Sequence, residues 1–121
     1  MKTTWIPAMA ATAALLAAPA TRAADAPKKT PELVEKGKAS FAKNCATCHG
    51  KGGAGDGPAA KALKPPPENL VTHPMKGGAL AVFDVLGKGV KGTGMIAFKH
   101  LPEEERWALA YFVEGLGRPT R

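Results

Sequence analysis

The segment Cys45-Ala46-Thr47-Cys48-His49 constrains this chain more than any other. Two thiols three positions apart, with a histidine directly after the second, form the attachment signature of a c-type haem. The spacing has a chemical reason. Each cysteine can add to one vinyl group of a porphyrin, and the next residue then lies beneath the macrocycle, where its imidazole can bind iron. A fold built on this segment must arrange itself around a large, flat, apolar group. Rival uses of the pattern fit less well. A thioredoxin-like dithiol needs a surrounding βαβ pattern, which the sequence lacks. Structural zinc needs four ligands, and the remaining His73 and His100 form no pair at a ligating spacing. A disulfide between Cys45 and Cys48 would staple a very short span and add little.

The N-terminus points the same way. Lys2 precedes an apolar stretch from Trp5 to Ala18, and Thr21-Arg22-Ala23 resembles a small-x-small cleavage site. The stretch is interrupted by Pro7 and followed by Pro19, and it falls short of the ~20 apolar residues of a membrane span. The expectation is a cleaved signal peptide over 1–23, export to the periplasm, a flexible lead-in over 24–30 and one domain over 31–121. Loss of Lys2 and Arg22 lowers the formal charge from +7 to +5. That balance is mildly basic, and the basic residues form no nucleic-acid stripe. Between Lys51 and Lys99, seven lysines stand against Asp56, Glu68 and Asp84. A solvated surface accounts for most of them. Their functional use would be a field that steers an acidic redox partner. The chain is expected to be monomeric and, once cleaved, not membrane-spanning.

Along the rest of the chain the pattern is helical at both ends and irregular between. Asp25 to Pro31 is polar and Pro-containing, a mobile lead-in. Leu33, Gly37 and Phe41 then recur on one face of a helix over Glu32–Lys43, with Thr30 as N-cap and Pro31 in the first turn. Gly50 to Gly94 holds eleven of the fourteen glycines and the run Pro65-Pro66-Pro67. This composition predicts turns, with one short helix at Leu80–Gly87 whose face is Leu80, Phe83 and Leu86. So long an irregular stretch argues against a compact fold unless a cofactor replaces the missing core. Pro102 to Leu116 reads as a closing helix, with Glu103, Glu104 and Glu105 where the helix dipole favours anions. Trp107, Ala110, Tyr111 and Glu114 follow its spacing, and Gly115 or Gly117 stops it. No strand pattern is present, so the fold class is all-α.

An electron-transfer iron usually has six ligands, so a second side chain is required. Met75, Met95, His73 and His100 are the candidates. Met95 lies in Lys91-Gly92-Thr93-Gly94-Met95, a Gly-rich loop that lets backbone approach the porphyrin closely, shortly before the last helix. Placement favours Met95 as axial ligand. Met75, in His73-Pro74-Met75, is chemically competent, and ordinary packing is the plain use of any methionine. His73 and His100 read most simply as surface residues.

Ser40-Phe41-Ala42-Lys43-Asn44-Cys45-Ala46-Thr47-Cys48-His49-Gly50 resembles the attachment region of class I cytochromes c. Gly53-Ala54-Gly55-Asp56-Gly57-Pro58 is similar to a stretch of many bacterial monohaem members. Thr93-Gly94-Met95-Ile96-Ala97-Phe98, followed by Leu101-Pro102-Glu103-Glu104-Glu105, resembles their distal-methionine loop and final helix. The resemblance implies a small fold with crossed terminal helices and loops wrapped around one covalent haem c. It implies Cys45 and Cys48 as attachment points, His49 and Met95 as axial ligands, and a carbonyl of Pro58 accepting from His49 Nδ1–H. Gly37 and Phe41 would lie where the first helix crosses the last, near Trp107 and Tyr111. In one place the chain departs from the pattern: Ile96 stands where the family usually has proline, which predicts a slacker ligand loop. The implied function is a non-enzymatic shuttle of single electrons between redox proteins. The alternatives are the electron-accepting subunit of a periplasmic dehydrogenase, or a gas-binding haem with an open distal position.

Overall fold

The computed structural model describes residues 10–15 and 25–118. The predicted leader lies outside these residues except for 10–15, and its cleavage segment Thr21–Ala23 lies wholly outside. Among the described residues all regular structure is helical: α1 Pro31–Asn44, α2 Ala46–His49, a 3-10 turn Ala60–Ala62, α3 Gly78–Lys88 and α4 Glu103–Leu116. None of these helices is long and apolar enough to cross a membrane.

The first helix begins as its sequence dictates. Thr30 is extended and its hydroxyl accepts from the Leu33 N–H at 3.2 Å, while Pro31 occupies the first turn, where no amide donor is needed. The buried face is Leu33, Gly37, Ser40 and Phe41. It crosses α4 closely, because Gly37 has no β-carbon to strike the Ala108 carbonyl. Phe41 then meets Phe112 with ring centroids 5.2 Å apart. The crossing lies at Ala108 and Phe112, one position further along α4 than Trp107 and Tyr111.

The core is shared by three helices: Phe41 from α1, Val82, Phe83 and Leu86 from α3, and Trp107, Leu109 and Ala110 from α4. Phe83 stacks on Trp107 with centroids 4.1 Å apart and planes 12° from parallel. The α3 face differs from the predicted one. Leu80 is exposed, and Ala79 and Val82 take its place, because 79, 82, 83 and 86 share one helical face and position 80 lies at its edge.

Polar contacts tie the ends together. Ser40, buried, donates to Glu105 Oε1 at 2.7 Å, and Asn44 Nδ2 donates to Ser40. Glu105 therefore serves the α1–α4 crossing besides its place in the first turn of α4. The lead-in is held rather than free: Tyr111 donates to the Pro27 carbonyl at 2.6 Å, and Lys29 pairs with Glu114 at 2.9 Å.

Candidate functional site

Helix α1 hands the chain to Cys45, whose N–H donates to the Phe41 carbonyl at 2.8 Å. The Cys45 carbonyl then accepts from both Cys48 N–H (3.2 Å) and His49 N–H (2.9 Å). Both thiols and the imidazole thus sit on one tight turn, α2. So short a helix cannot satisfy its own last carbonyls. The Gly-rich loop that follows does this for it: Ala59, Gly57 and Gly55 N–H donate to the carbonyls of Thr47, Cys48 and His49 at 2.9, 3.1 and 2.7 Å. Gly57 is required there, since a β-carbon would collide with the Thr47 carbonyl.

The loop next returns alongside itself. Leu70 N–H donates to the Gly53 carbonyl at 2.8 Å, and this brings the Glu68 carbonyl to 3.1 Å from His49 Nδ1. The predicted partner, the Pro58 carbonyl, does not fill this role. Its neighbours Gly57 and Ala59 are committed to α2, and Pro58 itself is exposed. A carbonyl on Nδ1 fixes the ring with its proton there and leaves Nε2 with a lone pair for a metal. No side-chain signal marks Glu68 for this task, since every residue carries a carbonyl.

Both cysteines are free and half-buried. Burial, with Cys48 beside it as the lesser cause, pushes the Cys45 thiol up to about 11. It is therefore a thiol and not a thiolate at neutral pH, unlike the activated sulfur of a redox dithiol. Among the described residues no group of three or more His, Cys, Asp or Glu side chains is placed to hold a metal ion.

Of the candidate distal ligands, Met95 is partly buried against the core cluster, which Cys45 also borders. Met75 is 38% exposed, and His73 and His100 lie on the surface. Leu70, Phe98, Leu101, Val113 and Leu116 join Cys45 and Met95 as apolar side chains packed on the core yet only partly covered. Partly covered apolar surface of this kind gains from burial against a bound apolar group. Thiols that can form thioethers, an imidazole with a free Nε2 and a half-buried thioether suit that group being a haem.

Residues 32–113 match the family model described as cytochrome c oxidase, cbb3-type, subunit III. The chain belongs to this family of cytochrome c domains. It is also similar to a solved structure described as the Kuenenia stuttgartiensis reducing HAO-like protein complex Kustc0457/Kustc0458. The two are 30% identical with a TM-score of 0.70, over 83% of this chain and 50% of that one. This chain thus spans half the length of that solved chain. The comparison with curated proteins gives no match. A cytochrome c domain implies a covalently bound haem c and haem-based electron transfer, and the all-helical fold agrees with it.

Proposed function

We propose that this cytochrome c domain is an exported single-electron carrier that holds one haem c. Cys45 and Cys48 would bind it through thioethers, and His49 and Met95 would be the axial iron ligands. The observation that carries this reading is the bond from His49 Nδ1 to the Glu68 carbonyl, which orients the ring and makes Nε2 a stronger donor. When bound, the group supplies an iron that alternates between two oxidation states, with no substrate bond made or broken. The chain's part is to keep its ligands in place in both states. A thioether opposite imidazole favours the reduced iron and raises the potential. Lys51, Lys61, Lys64, Lys76, Lys88, Lys91 and Lys99 are all exposed, which suits steering toward an acidic redox partner.

A second reading has an observation of its own: the similar solved structure is described as a complex. The chain would then be the electron-accepting subunit of a larger enzyme. Purification of the native protein separates the two readings. A free shuttle isolates alone from the periplasmic fraction with its N-terminus at Ala24, whereas a subunit isolates with its enzyme. Redox titration of the same material should show a single one-electron step. Met95→Ala should lower the midpoint, and Met75→Ala should leave it near wild type. The reverse pattern would move the axial role to Met75.

A further inference from the structure

The Met95 loop carries no proline after its methionine, and the Ile96 side chain is 63% exposed. The loop is nonetheless closed. Val90 N–H donates to the Met95 carbonyl at 2.9 Å, making a ring of residues 90–95. Inside that ring Thr93 binds three times. Its N–H donates to the Val90 carbonyl at 3.2 Å, its hydroxyl donates to the same oxygen at 2.7 Å, and its hydroxyl oxygen accepts from Met95 N–H at 3.1 Å. A hydroxyl donates one bond and accepts the other through a single atom.

The ring is also seated on α3. Gly89, at φ +68°, brings the helix end so close that a β-carbon would lie 2.8 Å from the Met95 carbonyl oxygen. Phe98 N–H donates to the Leu86 carbonyl at 2.7 Å on the far side. Both backbone polar groups of Met95 are thereby held, one by Thr93 and one by Val90. Without the Thr93 hydroxyl, the ring loses two of its four hydrogen bonds, including the only one on the Met95 N–H, in a segment whose Gly89, Gly92 and Gly94 raise the entropy to be opposed.

We infer that Thr93 is a positioning residue that retains Met95 on the iron, its hydroxyl supplying the restraint that a proline at 96 would otherwise give. The inference rests on Met95 being the axial ligand. It is tested on ferric holoprotein by optical titration with imidazole, which competes with the thioether for iron. Thr93→Val removes the hydroxyl and keeps the shape, so imidazole should bind about tenfold more tightly, the factor expected for losing hydrogen bonds of ordinary net strength. Thr93→Ser restores both bonds and should return affinity to near wild type. Met95→Ala should bind imidazole most tightly and lack the methionine-to-iron band in every condition.

Wild-type affinity in Thr93→Val, with Met95→Ala clearly tighter, would overturn the role of Thr93 and leave Met95 as ligand. An unchanged band in Met95→Ala would overturn both. Should Thr93→Val yield no holoprotein, Thr93→Ala takes its place, and equal affinities in Thr93→Ala and Thr93→Ser would sink the inference. A denaturant midpoint measured alongside separates loop opening from general loss of stability, because only loop opening alters imidazole binding at constant midpoint.

Discussion

Gly37 shows how one missing carbon sets the geometry of two helices. A β-carbon there would run into the Ala108 carbonyl and sit 3.0 Å from Phe112 Cβ, so α1 and α4 could not keep their crossing. Alanine is the better helix former by about 1 kcal/mol, yet overpacking at a tight contact costs about 1–3 kcal/mol. The collision is with backbone, which cannot rotate away, so the cost should win. Gly37→Ala is expected to lower the melting temperature of the holoprotein, and an unchanged melting temperature would contradict the close crossing. Cys45, Cys48 and His49 could be proposed together from the sequence because the chemistry assigned to them demands neighbours in sequence. Glu68 was not, because its contribution is a backbone carbonyl 19 residues away from His49. The same holds for Ser40, whose burial beside Glu105 shows only once α1 and α4 are crossed.

The three long helices were largely readable as elements, and their capping chemistry explains why. Thr30-Pro31 opens α1, and Pro102 with three glutamates opens α4. Helix α3 has none of these signals: Gly77 precedes it, and its first turn carries no acidic residue. Glu114 of α4 lies at its N-terminus, where a β-carbon on Gly78 would sit 2.8 Å from the Glu114 Oε1, and it pairs with Lys29 and Arg118. No local pattern could reveal a carboxylate supplied from so far along the chain. Burial alone would push the Glu114 carboxyl up, but the bond and charge of Lys29, the charge of Arg118 and the Ala79 amide outweigh it and hold it below the ordinary carboxylate range. A carboxyl lowered in the folded state stabilises above its unfolded value and loses that contribution as pH falls through the folded one. Glu114→Gln should therefore melt below wild type near neutral pH, and the gap should close as pH drops below about 4. A gap independent of pH, followed by thermal melting across that range, would show that the charge of Glu114 does not act as argued.

At the scale of the whole molecule, the long irregular stretches are what most needs a cofactor. Residues 50–77 and 89–102 hold no α-helix, and they run beside a core drawn from only three helices. A chain of this size buries too little apolar surface to afford such loops unaided. The composition made this legible: a Gly- and Pro-rich middle between two helices, with Cys45–His49 at the first junction, leaves the haem as the organising body. What composition could not give was the route of the loops, because the amides of Gly55, Gly57 and Ala59 find their carbonyls only through the turn of α2. The lead-in was read as mobile for a similar reason, since the Tyr111 hydroxyl that holds Pro27 lies 84 residues away. If the haem is bound through both cysteines, it cannot be separated from the folded or unfolded chain without breaking thioether bonds. Acid–acetone extraction of the matured protein tests this most directly. The colour should remain with the precipitated polypeptide of the wild type, and Cys48→Ala should yield little holoprotein at all. Colour passing freely into the acetone from the wild type would contradict the account.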